Sequence, residues 1–202
     1  KAINKGEVMF IDQHLSETVE QMRNLQLKKP DIAIIEAVAI TEDGGIIPTT
    51  SVGNSASFAI FAEKVIVEIN TNLSPAFEGL HDIYIPSYRP TRQPIPLTEV
   101  DQRIGTHAIN IDPSKIVGIV INGEFHDSPS TVTEPDDETQ GIANHLIAFF
   151  EKEVAEERLP RSLGPLQANI GSIANAVLTG LKDSNFEDLI MYSEVLQDCT
   201  FE

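Results

Sequence analysis

Asp31-Ile32-Ala33-Ile34-Ile35-Glu36-Ala37-Val38-Ala39-Ile40 is a nearly continuous apolar run interrupted by one carboxylate. A run of this length and β-branched content reads as a parallel strand covered on both faces. Working outward, Asp43-Gly44-Gly45 is a turn that sends the chain back into Ile46-Ile47. Asn54 or Ser55 opens a short helix, and Lys64-Val65-Ile66-Val67-Glu68-Ile69 is the next strand, with another from Lys115 to Ile121. Upstream, Val8 to Ile11 reads as a short strand, and Ser16 as the cap of a helix running to about Leu27, with Glu20 near the capping-box position. Helices alternating with mostly parallel strands give an α/β fold of open sheets with flanking helices.

At 202 residues, 41% of them hydrophobic and 22% charged, the chain has the composition of a globular protein with a real core. Its 31 acids against 14 bases give a net charge of −17, which argues against nucleic acid or an anionic membrane as a partner. A single cysteine, Cys199, excludes a disulfide framework within the chain and fits a reducing compartment. There is no apolar run of membrane-spanning length and no charged-then-apolar leader, so a soluble, intracellular protein is expected. His14, His81, His107, His126 and His145 are scattered, without the spacing of a zinc site, and no metal is expected.

Two irregular stretches break the order. Ile85 to Thr98 holds Pro86, Pro90, Pro94 and Pro96, with Arg89, Arg92 and Arg103 in or just after it. These arginines suit either an anionic substrate or partner, or a packed connector in which they pair with local acids. The stretch from His126 to Glu138 reads as a linker, which divides the chain into domains at 1–127 and 128–202. Beyond it, Glu138 to Glu157 is an amphipathic helix with Ile142, Leu146, Ile147, Phe149, Phe150 and Val154 on its apolar side.

The last third carries the chemistry. Leu166-Gln167-Ala168-Asn169-Ile170-Gly171-Ser172-Ile173 is a glycine-interrupted turn that runs into the apolar helix Ala174-Asn175-Ala176-Val177-Leu178. Such a turn offers free backbone N–H groups and the positive end of a helix dipole to an anion. Asp188 to Asp198 then reads as an apolar strand carrying one carboxylate, Glu194, to its C-terminal end. Ser51-Val52-Gly53-Asn54 is a second possible anion-binding turn, with a plain helix cap as the competing reading. His81 beside Asp82 suits a structural hydrogen bond or a channel wall.

Gln167 to Val177, together with Tyr192-Ser193-Glu194-Val195-Leu196-Gln197-Asp198, resembles the acetyl-CoA hydrolase/transferase family, close to the succinyl-CoA:acetate CoA-transferases. Phe10-Ile11-Asp12-Gln13-His14-Leu15-Ser16, Ser51 to Asn54, Glu78-Gly79-Leu80-His81-Asp82-Ile83-Tyr84, Arg103-Ile104-Gly105 and Ile111 to Val117 resemble further family segments in the same order. The resemblance implies two NagB-like α/β domains, the second incomplete here, and an expectation of exposed strand edges and poor solubility for the chain alone. Two positions depart from the family pattern: Asn169 and Cys199 stand where glycine is common.

The resemblance also implies the chemistry. Glu194 becomes the nucleophile that attacks an acyl-CoA thioester and then carries CoA as a glutamyl thioester, and Asn169, Ile170, Gly171, Ser172 and Ile173 become a CoA-contacting loop. Coenzyme A is then a substrate, with no tightly bound cofactor. The second substrate is a small carboxylate such as acetate or succinate, and the full-length protein is a cytoplasmic homodimer, mitochondrial if eukaryotic. Transfer and hydrolysis both stay open, since water can intercept the same intermediate. A non-catalytic CoA-binding or assembly module of the same fold is the alternative.

Overall fold

A computed structural model describes residues 1–124 and 135–200, arranged as two compact units, Lys1–Asp127 and Ser128–Glu202. The expected linker and the boundary near residue 127 lie largely outside the described residues, as does His126.

The first unit is built on one four-stranded sheet. Its strands are β1 (Ile32–Ile40), β2 (Ile46–Pro48), β3 (Lys64–Asn70) and β4 (Ile116–Asn122), in the order β2-β1-β3-β4. β2 returns antiparallel on β1 through the Gly44–Gly45 turn, whereas β1, β3 and β4 are mutually parallel. Gly44 takes φ 87, and a side chain there would meet Pro113 at 2.6 Å, so the turn needs glycine twice over. In register, Ala33 faces Val65 and Ile35 faces Val67. These four side chains bury against α2 (Ser55–Phe61), whose Ala56 and Ala59 are small enough for close approach. Helix α1 (Leu15–Arg23) precedes the sheet.

Three local expectations are corrected. The covering of β1 on both faces is met only toward its C-terminal end among the described residues: Ile32 and Ile34 are exposed, whereas Val38 packs against Ile47 and Ala108 on the face opposite Ala33, Ile35 and Ala37. No strand forms over Val8 to Ile11; Met9, Phe10 and Ile11 are exposed, with no described neighbour to complete a ladder. Helix α1 starts at Leu15, with His14 at the cap position, and ends at Arg23. Leu25 takes φ 58, and the N–H groups of Gln26 and Leu27 turn back to the Gln21 carbonyl, which stops the helix short of Leu27.

The proline-rich stretch contains no strand or helix and is mostly exposed, and its Arg89 and Arg92 pair with acids of α1. Arg92 and Arg23 both pair with Glu20, Arg89 lies 3.6 Å from Glu17, and Arg103 donates to the His81 carbonyl. Glu20, expected at a capping box, is instead a buried carboxylate paired with three guanidinium groups, those of Arg23, Arg92 and, at 3.9 Å, Arg89.

The second unit is a helical pair. Helix α3 (Asp137–Ala155) is capped by Asp136, whose Oδ1 accepts from the Thr139 N–H at 2.8 Å. That bond, with a second from the Thr139 hydroxyl, holds the Asp136 carboxyl below its ordinary value. Helix α4 (Ser172–Lys182) packs on α3 through small residues: Ala143 and Ala176 are buried, and a Cβ on Gly180 would sit 2.5 Å from Ile147 Cδ1. Ile142 and Phe149, expected on the apolar side of α3, are exposed. The strand expected over Asp188 to Asp198 reduces to a single parallel bridge between Leu166 and Met191, because no longer run of either segment pairs.

Candidate active site

Gly171 stands at the cap position of α4 with φ 149 and ψ 161, a backbone region open essentially to glycine alone. It has no side chain with which to cap the helix. By helix geometry the N–H groups of Ser172, Ile173 and Ala174 have no intrahelical acceptor, and the first one that does is Asn175, bonded to the Gly171 carbonyl at 3.0 Å. Asn169 partly closes the turn from the other side, its Oδ1 accepting from the Ile170 N–H at 3.0 Å.

This uncapped end opens on a cavity of ≈ 480 Å³. Asn169, Ile170, Gly171, Ser172 and Ile173 all line it, so the five residues expected to contact a ligand do share one concave surface. Leu146 and Phe150 of α3 and Val177, Leu178 and Leu181 of α4 supply its apolar wall. An apolar cleft with backbone donors at one rim suits a long, partly apolar molecule that carries an anionic or carbonyl group.

Glu194 is exposed and is not among the residues lining that cavity. The segment that carries it is nevertheless laced to the segment leading into the turn. Leu166 N–H donates to the Ile190 carbonyl at 2.7 Å, and Tyr192 N–H donates to the Leu166 carbonyl at 2.9 Å. The Ser193 hydroxyl donates to the Ala168 carbonyl at 2.8 Å and accepts from the Ala168 N–H at 3.3 Å. Gln197 donates to the Asn169 carbonyl at 2.6 Å. Glu194 thus lies between two side chains that both grip the residues entering the cradle. The Ser193 tether was not foreseen; its signal was only a small hydroxyl residue beside an acid, which has many structural uses.

Cys199 lies in a 3-10 turn (Asp198–Thr200) packed on α4, with its thiol 3.9 Å from Asn175 Oδ1. Elsewhere, His81 Nε2 lies 2.8 Å from the Pro48 carbonyl, in keeping with a structural role, and Asn54 caps α2 without a side-chain bond. No group of His, Cys, Asp and Glu suited to a metal ion occurs among the described residues, and no described helix is long and apolar enough to cross a membrane.

Comparison with known proteins places the chain. Residues 1–121 match the model of the acetyl-CoA hydrolase/transferase N-terminal domain. The chain belongs to the acetyl-CoA hydrolase/transferase family. It is 47% identical over 204 residues to an acetyl-CoA hydrolase of Schizosaccharomyces pombe, which covers 98% of this chain and 39% of that relative. It is 46% identical over 198 residues to a succinyl-CoA:acetate CoA-transferase of Clostridium kluyveri, covering 98% and 37%. The chain therefore spans about two fifths of the length of these curated relatives. Among solved structures, a 4-hydroxybutyrate CoA-transferase from Porphyromonas gingivalis matches with a TM-score of 0.59 at 20% identity, over 98% of this chain and 40% of the other. RipA from Yersinia pestis matches with a TM-score of 0.60 at 17% identity, over 99% and 37%. At these identities the structural likeness concerns the fold.

Proposed function

We propose that the protein to which this chain belongs is an acyl-CoA:carboxylate CoA-transferase, also able to hydrolyse acetyl-CoA, with Glu194 as nucleophile. The observation that carries the proposal is the tying of the Glu194 segment, through Ser193 and Gln197, to the uncapped turn Asn169–Ile173. Family membership supports the reaction class.

In the first step a Glu194 carboxylate oxygen attacks the thioester carbonyl carbon, and the C–S bond breaks to give an acyl-glutamyl anhydride and CoA thiolate. The thiolate then attacks the glutamyl carbonyl, forming a glutamyl-CoA thioester and releasing the first carboxylate. An incoming carboxylate reverses both steps and leaves as the new acyl-CoA. Each tetrahedral intermediate places negative charge on a former carbonyl oxygen, the charge that backbone N–H groups such as those of Ser172 and Ile173 stabilise. Water in place of the second carboxylate gives net hydrolysis. CoA is a substrate throughout, and the carboxylate is of the acetate or succinate class. A homodimer in the cytoplasm, or in mitochondria for a eukaryotic source, completes the proposal.

Exchange of labelled acetate into acetyl-CoA by the full-length protein tests it. Ping-pong kinetics lost in Glu194→Gln, with CoA still bound, is the expected result. Exchange that persists in Glu194→Gln would assign the nucleophile elsewhere. Binding without exchange in the parent protein would leave a CoA-binding module.

A further inference from the structure

The ≈ 480 Å³ cavity beside the cradle carries little polarity beyond the cradle itself. Among its described lining residues only Gln167, Asn169 and Ser172 have hydrogen-bonding side chains, and all three belong to the turn that opens α4. No described Asp, Glu, Lys, Arg or His lines it. The remaining wall includes Leu146 and Phe150 of α3 and Leu178 and Leu181 of α4. Helical backbone behind these side chains is bonded within each helix, so this part of the wall offers a ligand neither donor nor acceptor.

The inference rests on the reaction proposed above, in which a thioester carbonyl meets the N–H groups at the start of α4. That carbonyl has two substituents. One leads through sulfur to the pantetheine arm of CoA, whose amides need hydrogen-bond partners wherever they are buried. The other is the acyl chain, which needs none if it is an alkyl chain. The apolar wall therefore suits the acyl side of the thioester and leaves the amide-bearing arm to the polar turn and solvent. A cavity of this size is in the range of about 300–1,000 Å³ that accommodates whole small molecules, far more than the methyl group of an acetyl fills. A chain ending in a carboxylate would bring its charge to a wall without a cation, an unfavourable burial.

We propose that this cavity receives the acyl chain, so that the protein takes thioesters of linear, uncharged alkyl acids such as butyrate in preference to acetyl and succinyl thioesters. Leu146 and Phe150 are its specificity-determining residues.

Calorimetric titration of the full-length protein with S-ethyl-, S-butyl- and S-carboxypropyl-CoA tests the proposal. These thioethers match acetyl, butyryl and succinyl thioesters in length and cannot react, so the readout does not depend on Glu194 being the nucleophile. Each buried methylene strengthens binding about fourfold, so S-butyl-CoA should bind at least about tenfold tighter than S-ethyl-CoA. It should also bind at least about tenfold tighter than S-carboxypropyl-CoA, whose charge finds no partner. Leu146→Ala and Phe150→Ala should each shrink the butyl-to-ethyl ratio about threefold or more, a ratio that a general loss of stability does not move. Circular dichroism checks folding, and if neither variant folds, the two ratios in the parent decide. CoA binding with equal affinity for the ethyl and butyl analogues, or S-carboxypropyl-CoA bound as tightly as S-butyl-CoA, would overturn this inference alone. A butyl-to-ethyl ratio unchanged in every folded variant would also overturn it. No binding of CoA or of any analogue would overturn both it and the reaction on which it rests.

Discussion

Replacing Gly171 by alanine isolates what the cradle backbone contributes. A Cβ at this position would meet nothing within 4 Å, so the substitution creates no clash. The whole penalty comes from holding an L-residue at φ 149, ψ 161, a strain of about 1–3 kcal/mol. That strain can be expressed in two ways. If the turn keeps its shape, the folded state bears it, and the melting temperature falls by about 2–4 °C for each kcal/mol in a chain of this size. If the turn relaxes, the strain is met only when CoA restores the bound shape, and CoA affinity falls by about 5- to 150-fold. The two losses together should reach the strain. Gly141→Ala is the control: it too has open space around its Cβ, but it lies inside α3, where alanine should stabilise by about 0.5–1 kcal/mol. Thermal melts and calorimetric CoA titrations on both variants decide. If Gly171→Ala leaves both quantities unchanged, or if both variants move stability the same way, the reading of this turn is refuted.

Other perturbations probe elements of both units. Ser193→Ala removes two hydrogen bonds to Ala168, worth about 0.5–1.5 kcal/mol each; kcat for acetate exchange should drop with little change in the KM for CoA, and Ser193→Thr should restore it. An unchanged kcat in the alanine variant would detach Ser193 from the placement of Glu194. Glu20→Ala leaves the buried Arg23 guanidinium without its carboxylate and should cost about 3–5 kcal/mol in urea denaturation, far more than a surface pair; a loss within the range of surface substitutions would contradict the buried-hub description. Asp136 has a folded pKa below its ordinary value of 3.8, chiefly from the Thr139 N–H. Its contribution to α3 is therefore fully present above that ordinary value and lost as pH falls through the lower, folded one. Asp136→Asn should remove this part of the acid dependence of helicity, and an identical acid titration in the variant would count against the cap.

The sheet of the first unit was legible because its signals are local. The apolar runs that become β1, β3 and β4 have strand length and β-branched content, and Asp43-Gly44-Gly45 gives a turn between β1 and β2. Helices α3 and α4 follow from apolar periodicity and, for α4, from the glycine that precedes it. What failed depended on a partner. Val8 to Ile11 has strand composition but no described strand beside it, and the segment around Met191 pairs with Leu166 at one bridge only. The exposed start of one β1 face, at Ile32 and Ile34, has the same origin, since an apolar residue reports a preference for burial and not the presence of a cover. In the candidate site, the turn residues were legible from the glycine and the helix that follows. The burial of Glu20 was not, because besides the neighbouring Arg23 it depends on Arg92, 72 residues away, and a carboxylate near a helix start looks the same in sequence whether it caps or pairs.

The central claim is that Glu194 carries CoA covalently. The full-length protein, incubated with acetyl-CoA and then treated with borohydride, should yield a peptide containing Glu194 reduced at its side chain. That reduction should be absent without acetyl-CoA and absent in Glu194→Ala. A protein that binds CoA and exchanges acetate while its Glu194 peptide stays unmodified would contradict it.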